Sequence, residues 1–511
     1  MSTFHGLEMA KRALFTQQSA LYTTGHNISN ANTEGYSRQR VNFETTTPFP
    51  SASRNRPQIP GQMGTGVEAG SVERVRDRFL DLQFRSENSK AGYWEAMSNS
   101  ISRMENVMNE PSENGLANTM DKFWQSLQDL SVNPDNASDG ARSVVVQRGI
   151  AVSETFNYLS DSLTSIQSDL RNEVDVTIED ANSLLRQIDG INNQIQELEP
   201  HGYLANDLYD ERDRLIDELS SIVNIKVEYD KSGDSAPDIA DGLVSIQLVD
   251  DKGQPFEDPI VLLNGKPGES EVNQFSLDEN DTINNIKIGD RDFELSSANG
   301  KLSALINSHG YTENGEVKPS SGTNFTSMLE DLNEMAKVFA DEFNRVHNEG
   351  KGLVDPEGDS NDFFTYDENN VLGTIAVTDA IIENPDLIAA SATGSEGNGE
   401  NATKLAEVFT KILDTAGENS FDKNTSVKNF YESLVGSLGV TAQEANRMSK
   451  NTDVLRSQVQ DQRAAVSSVS LDEEMSNMIK FQHAYNAAAR SMTTMDEMLD
   501  RIINNMGLVG R

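Results

Sequence analysis

The sequence predicts a mainly α chain carrying one small inserted all-β domain, and three observations support that expectation. Apolar residues recur at every seventh position at both ends of the chain, the spacing of a helical seam. Between the ends they fall at helical spacing almost throughout. Only over residues 225–298 does the period shorten to two, the alternation of a half-buried strand. An insert flanked by helices on both sides brings the two ends of the chain back to one place. The expected architecture is a terminal-helix coiled-coil domain (1–62 with 462–511), a long-helix body domain (63–224 with 299–461) and the β insert (225–298).

The first helix carries Leu7, Leu14, Leu21 and Ile28 on one line, with Phe4, Ala10 and Ala13 beside it. Asn27, Asn30 and Asn32 follow, then Gly35; Asn and Gly tolerate the left-handed backbone that ends a helix, so a turn is expected near 30–35. Residues 36–70 contain Pro48, Pro50, Pro57 and Pro60 and read as an extended connector. From Val72 to Val223 the pattern is helical. One run starts at Val75, Phe79 and Leu82, and a second spans Leu116–Leu130 and closes at Asn133-Pro134-Asp135. One or two long helices cover Val144–Leu198, and a shorter one covers Leu208–Ile222. Strands are expected around Ile225/Val227/Tyr229, Val244/Ile246/Leu248 and Ile286/Ile288, with Phe293 and Leu295 beyond. Helices resume at Leu302–Asn307, Phe325–His347, Ala402–Asp414, Ser426–Leu438 and Thr441–Val466, with a strand at Thr374–Val377. The last helix places Leu471, Met478, Tyr485, Met492, Leu499 and Met506 on one line, and Phe481, Ala488, Met495 and Ile502 on a second, up to a cap at Gly507. Isolated terminal helices are marginal in water, so both ends are expected to order as partners cover their stripes.

At 511 residues the chain has room for about three domains. Its formal charge is −40, against the basic footprint that nucleic acid requires. The charge is uneven: residues 1–40 hold four basic and two acidic groups, residues 461–511 five and seven, so residues 41–460 carry the whole excess. Near-neutral ends can pack against copies of themselves while an acidic middle stays solvated. Cysteine is absent, which removes disulfides, thiolate metal sites and cysteine nucleophiles. No apolar run approaches the roughly 18 residues that span a bilayer, and Lys11-Arg12 is not followed by the apolar core of a cleaved signal.

The six histidines never take a metal-binding spacing. Asp355, Glu357, Asp359 and Asn361 alternate like the start of a calcium loop, but Ser360 replaces its glycine and Tyr366 its bidentate glutamate. There is no Gly-x-Ser-x-Gly elbow and no phosphate-binding loop. Paired carboxylates are expected by chance among 82 acidic residues. No catalytic, cofactor or metal residue is therefore assigned, and no cofactor is expected.

Ser29-Asn30-Ala31-Asn32-Thr33-Glu34-Gly35-Tyr36-Ser37-Arg38 resembles the N-terminal signature of bacterial flagellar rod, hook and junction proteins, with Glu34 where many relatives have proline. Phe481–Arg490 and Asp496–Leu499 are similar to their C-terminal signature. Phe123-Trp124-Gln125-Ser126-Leu127, Asn133-Pro134 and above all Ala205-Asn206-Asp207-Leu208-Tyr209-Asp210-Glu211-Arg212-Asp213 resemble the body of one branch, the FlgK family of hook-filament junction proteins. The resemblance covers both ends and most of the helical middle but not the β insert. It implies a mechanical, non-enzymatic role in a ring that joins hook to filament. Implied partners are copies of the chain, the hook protein, the second hook-filament junction protein and an export chaperone on the C-terminal helix, with no nucleic acid and no membrane span. The implied location is extracellular, on the flagellum, after export without a cleaved signal peptide. The two heptad lines at the ends would be seam residues. Asn30, Asn32, Gly35 and Tyr36 would form the turn, and Asn206, Asp207, Asp210, Arg212 and Asp213 would cap or pair within the body helices rather than touch a partner. Two alternatives stay open: another axial protein of hook or filament, or a secreted enzyme whose site lies in the β insert.

Overall fold

The computed structural model describes residues 3–50, 61–108, 115–134, 140–277, 286–293, 299–313, 316–318, 323–353, 362–395, 397–412 and 425–505. The chain opens with α1 (Thr3–Ser29), the strands β1 (Gln39–Thr45) and β2 (Val67–Arg74), and the helices α2 (Arg78–Met108), α3 (Leu116–Val132), α4 (Ala141–Leu198) and α5 (Asn206–Ile222). Seven strands follow: β3 (Ile225–Asp230), β4 (Leu243–Leu248), β5 (Val261–Asn264), β6 (Glu271–Val272), β7 (Phe275–Leu277), β8 (Ile286–Ile288) and β9 (Arg291–Phe293). Then come α6 (Lys301–His309), the pair β10 (Tyr311–Glu313) and β11 (Glu316–Lys318), and α7 (Phe325–Glu349). Short pieces β12 (Phe364–Thr365), α8 (Val371–Thr374), β13 (Ala376–Val377), α9 (Asp379–Glu383) and α10 (Glu400–Glu407) lead to α11 (Val427–Ser467) and α12 (Leu471–Asn505). The fold is the mainly helical one expected, with small antiparallel sheets and paired terminal helices.

The body is built along α4, which is 58 residues long and contains no proline, so it runs for about 87 Å at the helical rise. The sequence left open one or two helices here; it is one. On one side it packs α3, α7 and α8 around a phenylalanine cluster in which Phe123, Phe343, Phe363 and Phe364 all meet. Another stretch of α4 supports the strands. The antiparallel sheet β3-β4-β5-β6 and the three-stranded β7-β8-β9 share one continuous apolar core with it. Two buried asparagines on α4 hold the strands in place. Asn182 accepts from the Phe275 amide and donates to the Phe275 carbonyl, both at 2.8 Å. Asn192 does the same at Val244, at 3.2 and 2.9 Å. Each side-chain amide thus satisfies a backbone donor and acceptor that the core would otherwise leave unpaired.

Several expected boundaries move. The proline-rich connector contains a strand pair: all four prolines lie between β1 and β2 in the sequence, which leaves the strands free to pair from Gln39–Arg74 to Thr45–Val67, with one register shift between Asn42 and Phe43. Val72 pairs there with Val41 and the following helix starts only at Arg78. The two helices expected over 426–466 are one, α11: Gly436 and Gly439 do not interrupt it, a glycine in a helix costing about 1 kcal/mol rather than forbidding it. Thr374 ends a helical turn, so the strand expected there shrinks to Ala376–Val377, and the helix expected to Asp414 ends at Glu407. Pro57, Pro60, Asp135, Leu295, Asp414, Met506, Gly507 and the calcium-like stretch Asp355–Asn361 lie outside the described residues.

Close packing of α2 on α5 gives a test whose sign opposes helix propensity. A Cβ at Gly92 would stand 2.2 Å from the Ser221 carbonyl oxygen. Alanine favours a helix over glycine by about 1 kcal/mol, yet Gly92→Ala should destabilise the protein, by about 1–3 kcal/mol for the forced separation of two helices. Denaturant unfolding of the variant measures the sign directly.

Candidate functional site

The terminal helices lie antiparallel on each other, with β1 and β2 against α1. Burial on α12 follows part of its two apolar lines, and Ile502, on the second, is 42% exposed. Met478, Phe481, Tyr485, Met492 and Met495 are half-buried, and Ala488 and Leu499 buried. Leu471 is an exception: it opens the helix and is 47% exposed, and the buried place in the first turn belongs to Glu474. On α1 the expected line Leu7, Leu14, Leu21 and Ile28 is half-buried. Two contacts with α12 are fixed one residue earlier, at Gly6 and Asn27. Met495 packs 3.0 Å from where a Gly6 Cβ would be, Ala20 is 1% exposed, and Asn27 donates to Glu474 at 3.2 Å. Small residues let the backbones approach, and the large side chains of α12 fill the space.

At the root of this pair, the expected turn sits directly on the body. Asn30 donates to the His26 carbonyl and accepts from Thr33, closing α1. Gly35 has φ of 81°, a left-handed conformation that favours glycine. Tyr36 donates to Asn27 Oδ1 at 2.7 Å; Asn32 is exposed. The next three residues tie five elements together. The Ser37 amide donates to Asp210 of α5, the Arg38 amide to the Ser467 carbonyl at the end of α11, and the Gln39 amide to Asn27 of α1. The Arg38 carbonyl accepts from Val75 beyond β2 at 2.7 Å. Its guanidinium forks onto Glu473 at 2.8 and 3.0 Å and reaches Glu474 at 2.9 Å, both on α12. The Gln39 side chain bonds Asp207 and Asn206.

Beneath the root lies a buried charge network. Asp210, Asp213 and Asp217 share one face of α5, three and four residues apart. Arg74 donates to Asp210 at 2.8 Å and Asp213 at 2.9 Å and also pairs with Asp241. Arg76 pairs with Asp81 at 2.7 Å and Asp213 at 3.3 Å, and Arg85 with Asp217 at 2.8 Å and Asp213 at 3.2 Å. Arg463, near the end of α11, closes the circuit on Asp81 and Asp217. Burial would raise the Asp213 carboxyl, but Arg76, Arg74, Arg85 and Arg212 outweigh it and hold it well below the usual carboxylate range. Burial likewise opposes the charge on Arg74 and Arg76, and the surrounding aspartates overcome it and raise both. Asp210, less fully surrounded, is raised by burial against the pull of Arg74. Arg212 points the other way, into the β insert. It is fully buried, donates to the Gly242 carbonyl at 2.6 Å and to Asn192 at 3.2 Å, and lies over the Tyr209 and Tyr229 rings.

The body motif does not cap α5, whose N-cap Ala205 carries no side-chain cap bond: Asn206, Asp207 and Asp210 bond residues 37–39, Asp213 anchors the arginines, and Arg212 anchors the sheet. Sequence reasoning missed Arg38 as a bridge and missed Arg74, Arg76, Arg85 and Arg463 altogether. A signal was present: Arg74-Val-Arg76-Asp-Arg78 concentrates three cations in a strongly acidic chain. Among the described residues, no group of three or more histidine or carboxylate side chains could hold a metal ion, and no helix is long and apolar enough to cross a membrane.

Residues 101–364 match the model of the flagellar hook-associated protein FlgK helical domain. Residues 460–506 match that of the flagellar basal body rod FlgEFG protein C-terminal region, and residues 7–36 that of the flagella basal body rod proteins. Flagellar hook-associated protein 1 of Bacillus subtilis is 47% identical over 521 residues, covering 100% of both chains. That of Escherichia coli is 24% identical over 554 residues, covering 97% of this chain and 98% of its own. Among solved structures, the flagellar hook junction protein FlgK from Burkholderia pseudomallei superposes with a TM-score of 0.59 at 12% identity, covering 76% of this chain and 100% of that one, which speaks to the fold alone.

Proposed function

The chain belongs to the FlgK family of flagellar hook-associated proteins, and from that membership we propose that it is a structural part of the flagellum that joins hook to filament, assembling as a ring of copies. The observation that carries the reading is the apolar surface left over after α1 and α12 have packed on each other. Phe4, Phe15 and Tyr22 are 65, 57 and 71% exposed on α1, and Met475, Ile479, Met498, Ile502 and Ile503 are exposed on α12. A pair that is apolar inside and out needs further helices around it. The expected seam residues Leu7, Leu14, Leu21 and Ile28, half-buried in one chain, would be covered further by neighbouring copies, as would Leu471. The acidic body stays wet outside this packed axis, and the charge network carries load between the two. Hook protein, the second hook-filament junction protein and an export chaperone on α12 are the partners this role calls for, with export to the cell exterior. The role is mechanical rather than catalytic.

Removal of the gene should leave cells with bare hooks, and filament protein should accumulate in the medium. Electron microscopy together with an assay for shed flagellin checks both. Intact filaments on such cells would exclude the junction role.

A further inference from the structure

Two contacts fix how the terminal helices lie on each other, one at Gly6 and one at Asn27 of α1. These contacts, Gly6 with Met495 and Asn27 with Glu474, are separated by the same 21 residues on each helix, so the helices run antiparallel without slip. At the same seven-residue spacing between the two contacts stand Ala13 and Ala20 on α1 and Phe481 and Ala488 on α12, and apolar packing by itself discriminates poorly between one heptad and the next.

The step at the root is different. Glu474 is 2% exposed, yet it occupies a position that this spacing otherwise fills with Phe481, Ala488 and Met495. Its carboxylate accepts from Arg38 Nε at 2.9 Å and from Asn27 Nδ2 at 3.2 Å. Asn27 is itself fixed by the Gln39 backbone and the Tyr36 hydroxyl, and Arg38 is held by its amide on Ser467. Any shift of α12 along α1 strands a buried carboxylate against alanine and empties the pocket made for it.

We propose that Glu474 is a register pin: through Asn27 and Arg38 it selects the one stagger of α12 on α1 and fixes where the arm leaves the body. Polar residues at single seam positions set register in coiled coils in this way, at some cost in stability. The stagger in turn decides which exposed residues stand level at the tip, bringing Phe4 beside the last turns of α12. The pin acts within one chain, so its test does not depend on the junction role.

The cysteine-free chain permits a clean distance measurement. Glu8→Cys on α1 and Gln482→Cys on α12, both exposed, carry spin labels in the full-length protein. Pulsed EPR should give one narrow distance. Adding Glu474→Leu, which completes the apolar line, should broaden or split the distribution, with displacements up to one heptad, about 10 Å along the axis. Adding Glu474→Gln, which keeps the polar shape and one acceptor oxygen, enough for Arg38, should leave it narrow. A leucine variant as narrow as the parent, or a parent as broad as the leucine variant, overturns the proposal.

Discussion

Asp213→Asn is expected to lower the stability of the protein by about 3 kcal/mol or more at neutral pH, the scale of a buried ion pair broken from one side. Asp213 is 1% exposed and shares its carboxylate among Arg74, Arg76 and Arg85. The amide matches its shape but removes the charge that those three guanidiniums were desolvated to meet. The effect has a defined pH dependence. Because the folded-state pKa of Asp213 lies below its unfolded value, near 3.9, its contribution is complete above that value and is lost as pH falls towards the folded one. The gap between parent and variant should therefore be widest at neutral pH and narrow below about pH 4. Asp210, raised rather than lowered, has the opposite slope, since its folded form holds a proton more readily than its unfolded form. Denaturant unfolding of parent and variant at pH 7 and pH 3 measures both gaps. An equal gap at the two pH values would mean that the ionisation of Asp213 is not the source of its contribution.

The legible and illegible parts of this chain divide on physical grounds. Apolar periodicity found α12, the strands β3, β4 and β8, and the helices α5 and α7, because in each case burial follows the apolar residues. On α1 it could not point to Gly6 and Asn27, the two fixed contacts with α12, because glycine and asparagine leave no mark in a hydrophobic pattern, while the leucines one residue later do. It also missed the strand pair after α1, since the prolines were read as disfavouring a strand over the whole connector when the two strands lie on either side of them in the sequence. The charge network was hidden for a different reason. A buried arginine is indistinguishable in sequence from a solvated one, and its partners here lie as far away as Arg463 from Asp81. The turn at Asn30–Gly35 and the segment Asn206–Asp213 were visible as separate motifs. That they touch, through Ser37 and Gln39, is a fact of tertiary structure.

Met492→Asp should abolish incorporation into the flagellum while leaving the body folded. Met492 stands on the α12 seam between Tyr485 and Leu499, half-buried in a single chain before any neighbour is added. A carboxylate there has no cation of the Arg38 kind within its line, so it must either be desolvated unpaired, at several kcal/mol, or force α12 off α1. Either outcome removes the surface that copies would pack on, and in a ring the defect is repeated at every subunit. The body should not register the change, because the pair is rooted through residues 36–39, the end of α11 and the first turn of α12, about five helical turns from Met492. Met492→Leu, which conserves volume and polarity, should be tolerated, costing less than about 1.5 kcal/mol. Complementation of a strain lacking the gene, scored by motility and by filaments on hooks, reads the assembly effect. Calorimetry of the purified variant reads the body, whose transition should stay where the parent's is. Normal filaments from the aspartate variant would mean that the α1–α12 seam is not part of the assembled joint. Loss of the body transition would mean instead that the arms and body fold as one unit, and the mechanical division between packed axis and wet exterior would have to be abandoned.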